Sequence, residues 1–96
     1  MKPSQALHSQ RSTIRRIVES HRARNARIFG SVLRGEDAED SDLDLLVEPL
    51  PGATLFDLGA IQIELEEMLG VPVEVLTPGD LPEKFRSQVL AEAVPV

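Results

Sequence analysis

The apolar positions of this chain change period several times, and each change marks an element. Between residues 4 and 21, Leu7, Ile14, Ile17, Val18 and His21 recur mostly on one side at helical spacing, which predicts a first helix capped by Ser4. Residues 26–30 read as a short strand with Ile28 and Phe29 as its apolar content. Residues 31–34 follow as a helical turn that Gly35 ends, and residues 36–41 as a polar loop. The alternation resumes at 43–48 as a second strand, broken by Pro49, Pro51 and Gly52. Thr54 with Asp57 three residues later predicts a capped helix to about residue 69, with Leu58, Ile61, Leu65 and Met68 as its buried stripe and Gly70 as its stop. Residues 71–76 form a third strand. Pro78, Gly79 and Asp80 turn the chain into a last helix to about residue 92, with Phe85, Val89 and Leu90 inward. Strands alternating with helices predict a small α/β or α+β sheet with helices on one face, and 1–96 as a single domain.

The same alternation singles out a candidate site. Side chains alternate faces along a strand, so Asp42 and Asp44 point one way while Leu43, Leu45 and Val47 point the other. Neighbouring carboxylates on one face repel unless a cation lies between them. Hard oxygen donors of this kind suit Mg²⁺ shared with substrate phosphates. Ten residues separate Asp42 from a Gly30-Ser31 pair, which stands at the point where a strand gives way to a turn. Its backbone N–H groups and hydroxyl suit a phosphate. In the third strand Glu74 faces away from Val73 and Val75, and it joins Asp42 and Asp44 if that strand pairs in register with the second, a register the sequence alone does not set. Together these residues predict a metal-dependent site for a nucleoside triphosphate.

Composition narrows the picture. The chain has no Cys, which excludes disulfides and thiolate metal sites and fits a reducing cytoplasm. No apolar run approaches the ~20 residues of a membrane span, and the first residues lack the apolar stretch of a signal peptide. A net charge of −6 argues against direct nucleic-acid binding. With three Phe and no Trp or Tyr, the core is expected to be aliphatic and stacking on bases is not expected. Arg11, Arg15, Arg16, Arg22, Arg24 and Arg27 crowd the first third, either as a solvated face or as a contact for an acidic partner. His8 reads as solvated, and His21, on the apolar side of its helix, as a packed or rim residue.

Gly30-Ser31, the spacing to Asp42-Leu43-Asp44, Arg34-Gly35 and Ser41 resemble the minimal nucleotidyltransferases of the DNA polymerase beta-like superfamily. The resemblance extends to Val73-Glu74-Val75 and to the closing Leu90-Ala91-Glu92-Ala93-Val94-Pro95. It implies an α+β fold with a palm-like mixed sheet and helices on one face. It also implies Mg²⁺-dependent transfer of AMP from ATP to a protein hydroxyl, and a HEPN-domain toxin as partner, for which the chain is the antitoxin. The implied catalytic and metal-holding residues are Asp42, Asp44 and Glu74. Those implied for nucleotide and phosphate are Gly30, Ser31, Arg34 and Ser41. One departure stands out: the family's third acid is usually Asp, and here it is Glu74.

Structural readings stand beside each of these. Asp42 and Asp44 are acids that any loop-to-strand join can carry, Gly30 a turn residue, Ser31 a helix cap, and Arg34 a surface partner for Glu36 or Asp37. The alternative function is a non-catalytic antitoxin that neutralises a HEPN toxin by occlusion. A free-standing transferase acting on a small molecule or an RNA end fits the acidic charge and the single domain less well. Val94 and Val96 are further candidates for partner contact.

Overall fold

The computed structural model describes residues Met1–Val96. Its helices are α1 (Pro3–Ser9), α2 (Arg11–Ser20), α3 (Gly30–Leu33), α4 (Leu55–Leu69) and α5 (Glu83–Glu92), the last preceded by a 3₁₀ turn at Pro78–Asp80. The strands are β1 (Ala23–Phe29), β2 (Leu43–Pro49), β3 (Val73–Leu76) and β4 (Val94–Pro95), in one sheet of order β3-β2-β1-β4. β1 runs antiparallel to both β2 and β4, whereas β2 and β3 are parallel. A parallel pair needs a crossover, and α4 supplies it. The α+β class and the mixed sheet are as the sequence predicts.

Alternation along β2 decides which face is the core. Leu43, Leu45 and Val47 are completely buried, and they pack with Ile28 and Val73 beneath Ile14 and Val18 of α2 and Ile61 and Leu65 of α4. The buried core contains no polar or charged side chain and no aromatic ring. The acid-bearing face lies on the other side. There Leu46 is also fully buried although it stands outside the main core cluster. The 3₁₀ turn contacts β2, and α5 lies alongside this face, with Leu81, Phe85 and Val89 near Phe29 and Leu76. None of the residues of α5 is fully buried.

Several elements differ from their sequence reading for identifiable reasons. The first helix is broken at Gln10 (φ −133°). The Ser9 hydroxyl donates to the Ala6 carbonyl, and the Gln10 N–H is drawn to Ala6 and Leu7, so the helical ladder stops. The redirected α1 is anchored at its start, where the Ser4 N–H donates to Asp37 Oδ2 at 2.9 Å. Ser4 therefore lies inside α1, behind Pro3, and is not its cap. Strand β1 begins at Ala23, earlier than predicted. Asn25 adopts a left-handed φ of 52° and the register with β2 shifts between Arg24 and Arg27, a bulge that interrupts the apolar alternation.

At the start of α4 the Thr54 N–H donates to Asp57 Oδ2 at 2.9 Å, and Gly70 (φ 71°) ends the helix. Leu69 takes the buried position that the pattern gave to Met68, which is half exposed. At the other end of the sheet, Val96 packs against the core, its N–H donating to the Ala26 carbonyl while Arg15 donates to the Val96 carbonyl. Of the two valines suggested as partner contacts, Val94 alone stays exposed. His21 sits at the rim, 2.6 Å from Glu64 of α4. No helix is long and apolar enough to cross a membrane.

Candidate active site

The site forms where the end of β1 pairs with the start of β2. Phe29 pairs with Asp44 across the antiparallel ladder, and the next residue, Gly30, opens α3 with φ 75°. That left-handed backbone disfavours any side chain. A second constraint acts at the same place: a Cβ on Gly30 would overlap the Asp44 carboxylate and come within 3.1 Å of its Cγ. Glycine thus serves two ends here, turning the chain and letting the backbone approach the acid closely. Ser31 follows in the first turn of α3, where N–H groups have no partner within the helix. Gly35 (φ 71°) closes the turn.

Parallel pairing of β2 with β3 sets Asp44 directly beside Glu74. Adjacent strands lie ~4.8 Å apart, so the two carboxylates are neighbours on the acid-bearing face. Asp42 precedes Asp44 by two residues on that face and is exposed. The electrostatics follow from this placement. Partial burial pushes the Asp44 carboxyl up to about 6, reinforced by the negative charges of Glu74 and then Asp42 and opposed by Arg34. The three carboxylates feel one another without closing to the spacing of a three-ligand cluster. Their donor set fits a hard divalent cation: oxygen atoms only, excess negative charge, one member half buried and two open to solvent.

The remaining predicted residues fall around this centre. Arg34 caps α3, bonds through Nε to Glu36 Oε2 at 3.4 Å and is near enough to Asp44 to act on its ionisation. The Ser41 hydroxyl accepts the Ala38 N–H at 2.8 Å, shaping the loop that delivers Asp42 to β2.

Beside the carboxylates lies a cavity of about 350 Å³ that the sequence reading missed. It is lined by Phe29, Gly30, Arg34, Leu76 and Leu81 and by Phe85, Gln88, Val89 and Glu92 of α5. Two of the three phenylalanines line it. The signal was in the sequence. Residues 85, 88, 89 and 92 repeat at helical spacing, but the apolar pattern picks out only Phe85, Val89 and Leu90 as the inner face of an ordinary helix and passes over Gln88 and Glu92.

Comparison with known proteins agrees with the fold. Residues 11–96 match the family model described as nucleotidyltransferase domain. The chain is 44% identical over 80 residues, 83% of its own length and 86% of the relative's, to a Methanocaldococcus jannaschii protein provisionally named a protein adenylyltransferase. It is 39% identical over 71 residues, 70% of the chain and 68% of the relative, to the protein adenylyltransferase MntA of Thermococcus cleftensis. A solved structure provisionally described as a minimal nucleotidyltransferase superposes with a TM-score of 0.86 at 42% identity, over 97% of this chain and 95% of that one. A chain from a crystal structure of a toxin–antitoxin with AMP-PNP shares the fold, with a TM-score of 0.73 at 16% identity over 88% and 69% of the two chains.

Proposed function

The chain belongs to the nucleotidyltransferase domain family, and from that premise we propose that it transfers AMP from ATP to a hydroxyl of a protein, acting as the antitoxin that modifies a HEPN-domain toxin. The observation that carries the reading is the pairing of Asp44 with Glu74 across the parallel ladder, two residues after Asp42, with the Asp44 carboxylate set against the glycine that opens α3. The adenylyltransferase names of two relatives support the reaction class, and the toxin–antitoxin fold neighbour supports the kind of partner.

Asp42 and Asp44, with Glu74 beside them, would hold Mg²⁺, which supplies the positive charge that a polyphosphate requires. The chain's own residues do the rest. Gly30 leaves room for phosphate against the backbone, and Ser31 offers an N–H and a hydroxyl at the start of α3. Arg34, exposed and bound only to Glu36, is free to turn toward the leaving pyrophosphate, and Ser41 holds the loop from which Asp42 projects. Glu74 stands exposed on the neighbouring strand and takes the proton of the acceptor hydroxyl as its oxygen attacks the α-phosphorus. The bond to pyrophosphate breaks as the new P–O bond forms.

The test is incubation of the protein with α-labelled ATP, Mg²⁺ and a HEPN-domain protein from a neighbouring reading frame. Label is expected on the HEPN protein. If the toxin is silenced while no label moves, the chain works by occlusion instead.

A further inference from the structure

The cavity between α3 and α5 is unexplained by the phosphate chemistry. Its walls are largely apolar, with Phe29, Leu76, Leu81, Phe85 and Val89, and its volume of about 350 Å³ falls within the range of small-molecule sites. Gly30 belongs both to its wall and to the contacts of Asp44. A nucleotide whose phosphates meet the carboxylates therefore has this cavity within reach of its base.

Two polar side chains on the α5 wall are coupled. Gln88 Nε2 donates to Glu92 Oε1 at 3.3 Å, one helical turn on. Between two exposed side chains, that bond favours one orientation of the amide. A carboxylate only accepts, so the NH₂ end of Gln88 is held toward Glu92. The carbonyl oxygen and the second N–H remain as an acceptor–donor edge. Adenine presents the matching pair, an exocyclic N–H₂ donor beside a ring-nitrogen acceptor, and a glutamine amide pairs with it through two bonds. Guanine presents the opposite order, O6 accepting beside an N1–H that donates. To pair with guanine the amide must turn over, which would point its oxygen at the Glu92 carboxylate.

We propose that this cavity seats the purine base of the nucleotide, and that Gln88, held in one orientation by Glu92, selects adenine over guanine. The proposal rests on the nucleotidyltransferase reading above and assigns the base-recognition part of that site. Gln88 is the residue that touches the base, whereas Glu92 is a positioning residue.

The experiment is titration calorimetry of ATP and of GTP, each with Mg²⁺, on the full chain and on Gln88→Ala and Glu92→Gln, with label transfer to the HEPN protein followed in parallel. Both residues are exposed on α5, so the variants are expected to melt like the parent. The parent is expected to bind ATP at least roughly tenfold more tightly than GTP. Gln88→Ala should lose roughly tenfold in ATP affinity with GTP little changed. Glu92→Gln should bring the two affinities together chiefly by improving GTP, because the amide is then free to turn over. That gain is an effect no merely structural role produces. If both variants keep the parental ratio while the parent binds ATP and transfers label, the base assignment is wrong and the nucleotidyltransferase reading stands. If the parent binds neither nucleotide, both are wrong.

Discussion

Gly30 and Asp44 occupy space that only glycine leaves open: the carboxylate of one lies where a side chain of the other would begin. Gly30→Ala therefore meets two penalties, a left-handed φ of 75° and an overlap with Asp44. The backbone part is expected to cost about 1 kcal/mol, and the displaced carboxylate to add a similar amount. In a protein of this size that lowers the midpoint of thermal unfolding by roughly 8–16 °C. A double-mutant cycle separates the parts. In an Asp44→Ala background the substitution should cost only the backbone part, so the two changes are non-additive by about 1 kcal/mol. Additive behaviour in thermal or urea melts would show that the contact carries no strain.

Asp44 sets the sign of one pH dependence. Its carboxyl is raised to about 6 in the fold against 3.8 as the reference. The native state then binds more protons than the unfolded state between those values, so this group's stabilisation is fully present below pH 3.8 and is lost as pH rises through about 6. A shift of that size amounts to about 3 kcal/mol if unscreened, and half-exposure in water reduces it to about 1–2 kcal/mol. Asp44→Asn removes the charge and keeps the shape. The metal-free variant is expected to be more stable than the parent by about 1 kcal/mol at neutral pH and to match it near pH 4, as melts across that range would show. Nucleotide-dependent Mg²⁺ binding should be lost in Asp44→Asn combined with Asp42→Asn, and unchanged Mg²⁺–ATP affinity by calorimetry would remove both from the site.

Asp37 works in the opposite direction. The Ser4 backbone N–H lowers its carboxyl below the ordinary value of 3.8, with a smaller contribution from the charge of Lys2. The anchoring of α1 is thus present above pH 3.8 and lost as pH falls below it. Asp37→Ala should free α1 while the sheet stays intact. Amide exchange is expected to rise at Ala6 and Leu7 and not at Leu45 or Leu65. Unchanged exchange in α1 would mean that Ala6 and Leu7 are held by packing alone.

What could be read from the sequence divides along physical lines. Strand β2 was legible because period-two alternation states both its buried and its acid-bearing side, and Glu74 followed from the same rule once β3 paired in register. The break at Gln10 and the early start of β1 were not legible. Both arise from local hydrogen bonding and a bulge, at Ser9 and at Asn25, that interrupt a period without a Gly or Pro to mark it. Contacts between residues far apart, such as Ser4 with Asp37, leave no periodic trace at all. The base-sized cavity was hidden for another reason. α5 lies beside the acid-bearing face instead of in the core, and Phe85 is half exposed where the pattern predicts burial.

Glu74 offers the sharpest division between structure and catalysis. It pairs with Asp44 across parallel strands, and its charge is the second cause, after burial, of the raised Asp44 carboxyl. Glu74→Gln keeps the size and removes that charge, so the Asp44 titration followed by NMR should move down toward the ordinary carboxylate range. The same change should leave the fold intact, because Glu74 is exposed and makes no hydrogen bond through its side chain. If Glu74 takes the acceptor proton, transfer should fall about 10²-fold or more while ATP affinity changes far less, since a base acts in the transition state. Glu74→Asp retains the carboxylate at a shorter reach and is expected to transfer better than Glu74→Gln. The two readouts are independent. A shifted Asp44 titration with parental transfer would leave Glu74 as an electrostatic neighbour only, and an unshifted titration would contradict the pairing that brings the two acids together.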